Sequence, residues 1–142
     1  MKITNFVLVD DDRTSLLIGK FMIQKFNQQA KVVTFIEPEI ALIKIEKSLG
    51  DCTEDNQTIL FLDINMPTMT GWEFLDAFNN FEPIIKEKFL IYILSSSLED
   101  FEKKAQKYPF VCGFLSKPIK QKYLEDINIR KESNLQFLKS LL

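Results

Sequence analysis

The run Ile59-Leu60-Phe61-Leu62-Asp63-Ile64-Asn65-Met66-Pro67-Thr68-Met69-Thr70-Gly71 sets four large apolar residues against an aspartate, then a Met-Pro dipeptide and a glycine. Apolar residues without polar alternation suit a strand buried on both faces, as in a parallel sheet. The run stops at Asp63, so this carboxylate is expected at the carboxyl end of its strand. Open α/β sheets gather ligands and chemistry there. Pro67 cannot continue a ladder, and Gly71 is expected to free the backbone before the next helix. A buried carboxylate on such a platform needs a counter-charge from elsewhere in the chain.

Working outward, strand and helix signals alternate. Phe6-Val7-Leu8-Val9 reads as a first buried strand ending in Asp10-Asp11-Asp12. Thr14 or Asp12 can cap a helix whose apolar residues Ile18, Met22 and Phe26 recur every four positions. Lys31 to Ile36 is rich in β-branched residues and predicts a second strand. Pro38 suits the first turn of a second helix, with Ala41, Ile45 and Leu49 on one face and Gly50 at its end. A polar loop, 51–57, leads into the central strand from Thr58. Beyond Gly71, the residues Phe74, Phe78 and Phe81 line a third helix, interrupted by Glu82-Pro83.

Phe89 to Leu94 predicts a fourth buried strand ending at Ser95-Ser96-Ser97. Ser96 with Glu99 resembles a capping box, opening a helix that turns Leu98, Phe101, Ala105 and Tyr108 inward. Pro109 stops it, and Phe110 to Leu115 is the fifth strand, ending at Ser116-Lys117-Pro118. A last helix from near Ile119 buries Leu124 and Ile127. Ser133 with Gln136 is expected to cap a separate short helix bearing Leu135, Leu138 and Leu142. Five strands alternating with five helices imply an α/β fold, a parallel sheet covered on both faces. The expected division is a domain over 1–130 with a helical extension, 131–142, belonging to it.

Composition narrows the function. A chain of 142 residues with 46% hydrophobic and 27% charged residues is expected to form one soluble globular domain. A net charge of -2 argues against general nucleic-acid binding. Cys52 and Cys112 have neither metal nor redox spacing and read as free thiols of a reducing compartment. Neither a signal peptide nor a membrane span is apparent, so a cytoplasmic location is expected. The sequence contains no histidine. That excludes Ser-His-Asp catalysis, histidine-ligated metal and a phosphohistidine-carrying role.

Asp10, Asp11, Asp63, Ser95 and Lys117 all fall at or just past strand carboxyl ends, so all are expected around one crevice. Three crowded carboxylates repel one another and raise each other's pKa unless a cation neutralises them. A hard, oxygen-seeking ion is the expected partner, and Mg²⁺ suits best because it keeps waters and leaves room for phosphate oxygens. Lys117 offers a point charge for a phosphoryl group and Ser95 a hydroxyl donor. Such a set is suited to placing a phosphoryl group on a carboxylate.

With these landmarks in order, the chain resembles a response-regulator receiver domain of two-component signalling, of the stand-alone type. The resemblance rests on the acid pair Asp10-Asp11, on Asp63 with Met66-Pro67 and Gly71, on Ser95 and on Lys117-Pro118, and it spans about 6–129. It implies a flavodoxin-like, doubly wound sheet of order 2-1-3-4-5, which the general rule for open sheets records for a chemotaxis member of this family. It implies that Asp63 is the phosphoacceptor. Asp11, Asp63 and the Asn65 backbone carbonyl would bind Mg²⁺, with Asp10 acting through water. Lys117, Ser95 and Ser96 would bind the phosphoryl group. Ser95 and Phe114 would form the switch, and Phe114, lacking a phenolic hydroxyl, is expected to favour the inward position. The implied partners are a histidine kinase or histidine phosphotransfer protein and a downstream protein, not nucleic acid or membrane. No enzymatic activity beyond self-phosphorylation and dephosphorylation is implied.

Two registers stay open at the residue level. Asp11-Asp12 is an alternative to Asp10-Asp11, and Ser96 or Ser97 an alternative to Ser95. Rival functions fare worse. A haloacid-dehalogenase-type phosphohydrolase would carry a second aspartate where Asn65 stands. A flavin-binding module would need a glycine- and hydroxyl-rich loop in place of three aspartates. A degenerate receiver binding partners without phosphorylation is the nearest alternative, and the intact acids and lysine count against it.

Overall fold

The computed structural model describes residues 4–47, 57–97 and 102–140. Five strands, β1 (Asn5–Val9), β2 (Lys31–Phe35), β3 (Thr58–Asp63), β4 (Phe89–Ser95) and β5 (Val111–Ser116), form one parallel sheet of order β2-β1-β3-β4-β5. Among the described residues the helices are α1 (Arg13–Phe26), α2 (Pro38–Lys47), α3 (Gly71–Asn79), α4 (Pro83–Lys86), α5 (Glu102–Ala105) and α6 (Gln121–Ser140). The parallel sheet and its order are as expected.

The central run explains itself. Successive side chains of a strand point to opposite faces, so Leu60 and Leu62 enter one core with Phe74, Phe78, Ala41 and Ile45. Ile59 and Phe61 enter the other, with Leu16, Ile23, Leu124 and Ile127. All four are at most 1% exposed. The apolar run had to be unbroken because both faces are covered.

Several local expectations are corrected. In α1 the buried set is Leu16, Gly19, Ile23 and Phe26, while Ile18 is exposed. Rows of i+4 alone drift around a helix of 3.6 residues per turn, whereas the 3-4-3 spacing observed stays on one face. Of the two candidate caps, Asp12 is the N-cap, its carboxylate accepting from the Thr14 N–H. Glu82-Pro83 opens a one-turn helix, α4, with Pro83 in its first turn, instead of merely interrupting. Phe81 lies past the end of α3, where it packs against Phe78. No separate helix starts at Ser133: α6 runs unbroken from Gln121 to Ser140, a span without glycine or proline. Leu49, Gly50, Cys52, Leu98, Glu99, Phe101 and Leu142, and the packing of Leu135 and Leu138, lie outside the described residues. No described helix is long and apolar enough to cross a membrane.

Candidate functional site

β1 and β3 are neighbours with Val9 opposite Leu62, so the residues that follow each strand leave the sheet side by side. Asp10 and Asp63 are both 5% exposed; Asp11, one residue further, is exposed. Carboxylate oxygens of Asp10, Asp11 and Asp63 lie within 4.8 Å of one another. Asp12 instead caps α1, so the geometry clusters the first two acids of the triplet with Asp63.

Lys117 reaches the cluster from the end of β5. Its Nζ is 2.7 Å from Asp10 Oδ2 and 3.4 Å from Asp63 Oδ1. The loop that aims it is tied back by the Lys117 N–H, which donates to the Ser95 carbonyl at 3.0 Å, and the following peptide to Pro118 is cis. The Asp12 N–H donates to Asp10 Oδ1 at 2.9 Å, and the Asn65 N–H donates to Asp63 Oδ1 at 3.3 Å. Burial, and then the charge of Asp10, raise the Asp63 carboxyl to about 6, against the lowering pull of Lys117 and Asn65. Burial pulls Lys117 down, but its bond to Asp10 and the charges of Asp10 and Asp63 outweigh that and hold it above its ordinary value.

Ser95 is buried at the end of β4, facing Ser116 of β5 in register. Its hydroxyl accepts from the Ser97 N–H at 3.2 Å and lies 3.3 Å from the Ser97 hydroxyl. Ser96 is exposed on the rim of a crevice of about 390 Å³ whose lining includes Asp10, Lys117 and Pro118. Phe114 departs from the expected inward position: it is 39% exposed. β5 is the sheet's edge, so the ring can rest over the rim instead of in the core.

The sequence alone missed two aids to this site. Gly71 was expected to supply conformational freedom, yet no described glycine has a positive φ. Its role is room: a Cβ there would come within 2.7 Å of the Asp63 carbonyl oxygen and 2.9 Å of Ile64 Cα. The Gly71 N–H donates to the Ile64 carbonyl at 2.9 Å, folding the loop 64–70 back onto the acidic strand end. Thr70 and Glu73 form a capping box that starts α3 at that point, and the T-x-x-E spacing was visible in the sequence.

The family model described as response regulator receiver domain matches residues 6–128. This chain belongs to the receiver domain family. A two-component response regulator from Cytophaga hutchinsonii is 27% identical, with a TM-score of 0.80 over 92% of this chain and 97% of that one. A response regulator receiver protein from Dyadobacter fermentans is 23% identical, with a TM-score of 0.78 over 89% and 96%. The Vibrio cholerae chemotaxis protein CheY4 is 24% identical, with a TM-score of 0.65 over 99% of both chains. The last two likenesses speak for the fold alone. No curated protein matches the sequence. Receiver domains are in general signalling modules that work with kinases or phosphotransfer proteins and typically bind Mg²⁺ at acidic residues; among the described residues this chain holds one compact aspartate cluster, Asp10, Asp11 and Asp63.

Proposed function

We propose that this receiver domain accepts a phosphoryl group on Asp63 from a phosphohistidine of a kinase or phosphotransfer protein and signals to a partner protein. The observation that carries the reading is the lysine-bridged cluster of Asp10, Asp11 and Asp63 at the carboxyl edge of the sheet. With Oδ1 held by Lys117 and the Asn65 N–H, Oδ2 is the oxygen offered to phosphorus. The new O–P bond forms as the P–N bond of the donor breaks, and its electron pair returns to the imidazole.

The donor set fits a hard cation: three carboxylates with oxygens within 4.8 Å, and one of them pushed to about 6 by burial and like charge. Asp11, Asp63 and the Asn65 carbonyl would hold Mg²⁺ directly, and Asp10 through a water. When bound, the ion supplies neutralisation of the crowded acids and of the phosphoryl oxygens. Lys117, Ser95 and Ser96 are assigned to the phosphoryl oxygens, Lys117 by giving up part of its bridge and Ser95 by turning from Ser97. Ser95 and Phe114 form the switch. The domain is assigned to 1–130 with 131–142 as an extension that belongs to it, in the cytoplasm, without catalysis beyond its own phosphorylation and dephosphorylation.

The donor's docking surface is placed on α1, where Leu17, Phe21 and Ile18 are 70%, 64% and 42% exposed. That helix begins directly after the acid cluster. Intact-mass measurement after acetyl phosphate tests the reading. One added phosphoryl group is expected with Mg²⁺ and none in Asp63→Asn, because an amide is not a usable nucleophile. Stoichiometric labelling of that variant would refute Asp63 as acceptor.

A further inference from the structure

Between α3 and the start of β5 lies a contact that the phosphoryl site does not use. Tyr108, buried just past α5, donates its phenolic hydrogen to Asp76 Oδ1 of α3 at 2.6 Å. One helical turn before Asp76, Trp72 stacks on the Tyr108 ring, with centroids 5.7 Å apart and planes at 24°. Lys104 of α5 sets its ammonium 5.4 Å from the Trp72 centroid. Phe110 packs edge-on against Tyr108 and tilts against Phe78 of α3. The accepting carboxylate and burial push the Tyr108 hydroxyl up to about 12.

Both ends of this clasp lead back to the acids. Trp72 follows Gly71, which lies too close to the Asp63 carbonyl to carry a Cβ and is tied to the Ile64 carbonyl. The Tyr108 carbonyl accepts from the Val111 N–H at 3.0 Å, the first residue of β5, and β5 delivers Lys117 to Asp63. The contacts close a ring: Asp63, Gly71, Trp72, Tyr108, β5, Lys117, and Asp63 again. The Asp63 end of the sheet is thus joined to β5 by two routes, one through the loop 64–70 and one through Lys117.

We infer that Tyr108, through its bond to Asp76 and its stack on Trp72, is a positioning residue that couples the state of Asp63 to β5. The coupling rests on the proposed phosphoacceptor function for its biological use, but not for its physics. On this inference the clasp, which stands together with the Ser95 hydroxyl at Ser97 and Phe114 outward, is tighter in the unphosphorylated arrangement than in the phosphorylated one. Coupling is reciprocal. Weakening the clasp therefore strengthens binding of a phosphoryl mimic at Asp63.

Tyr108→Phe keeps the ring and its volume and deletes only the donor. Beryllofluoride with Mg²⁺ is the probe, followed by the emission of Trp72, the single tryptophan of the chain. The expected result is an affinity about threefold to tenfold tighter in Tyr108→Phe, with Asp76→Asn, which keeps an accepting oxygen, in between. Affinities within twofold of wild type in both variants would overturn the inference. A second measurement needs no phosphoryl chemistry. In ligand-free protein, Asp63→Asn is expected to shift the Val111 and Cys112 amide resonances, and the shift is expected to vanish in Tyr108→Phe. Shifts that persist unchanged in that background, or that never occur, overturn the coupling even if beryllofluoride fails to bind, a failure that would itself count against the phosphoacceptor reading.

Discussion

As the proposed phosphoacceptor, Asp63 would be a nucleophile in a place that disfavours its charge. Its folded pKa of about 6 lies above the ordinary 3.8 because of burial and Asp10, so the folded form holds this proton more tightly than the unfolded form. The stabilisation this gives is complete below about pH 4 and is lost as pH rises to about 6. Above that, the ionised carboxylate destabilises the metal-free protein. Asp63→Asn removes the cost. Without metal, the variant is expected to melt about 3–8 °C higher than wild type near pH 7.5 and at the same temperature near pH 4. An equal or lower melting temperature near pH 7.5 would mean that Lys117 fully compensates both acids.

α1 presents the element-scale problem: a helix with a buried row and a second, solvent-facing apolar row. Leu17 and Phe21, one turn apart, are more exposed than any core need explains. Replacing both by serine is expected to change stability by less than about 1 kcal/mol and to leave phosphorylation by acetyl phosphate unchanged. Transfer from a histidine phosphodonor is expected to slow roughly tenfold or more, since exposed apolar anchors carry binding energy. Equal transfer rates would move the docking surface elsewhere. The same helix shows what a sequence does and does not disclose. The strands were legible because burial on both faces leaves unbroken apolar runs, and the site was legible because each of β1, β3, β4 and β5 hands over to a polar residue at its end. The inward face of α1 was not, because two apolar rows compete and the i+4 row containing Ile18 looked as regular as the true one. Gly71 was legible as a landmark but not as a spacer, since the Asp63 carbonyl that crowds it is set by the fold. Tyr108 could not be assigned a partner because Asp76 is 32 positions away. Phe114 sits on the expected strand, but its exposure depends on β5 being the edge.

For the whole molecule, the proposed output lies on the side built from α5, β5 and the first turns of α6. In the proposed mechanism, phosphorylation would bring close to two negative charges to Asp63 and draw Ser95 and Lys117 toward it. Ser95 ends β4, the strand next to β5, and Lys117 directly follows β5. Amide mapping with beryllofluoride is expected to show changes across 102–105, 111–116 and the start of α6, together with tighter partner binding. Changes confined to the metal crevice would place the output surface elsewhere. The strand order has one more effect, on how the chain is made. β1 leaves the ribosome first, yet it lies between β2 and β3, with Asn5 paired to both Lys31 and Thr58. One core joins Phe6 and Leu8 to Tyr92, Leu94, Leu124 and Ile127; the other joins Val9 and Ala41 to Ile91, Ile93 and Tyr108. A half-synthesised chain thus exposes the inner edge of β1 and two unfinished apolar faces, the kind of surface that invites chaperone capture. Such long-range closures slow folding, so a nascent chain stalled before β4 has no native state to reach, and its folding waits on β4, β5 and α6.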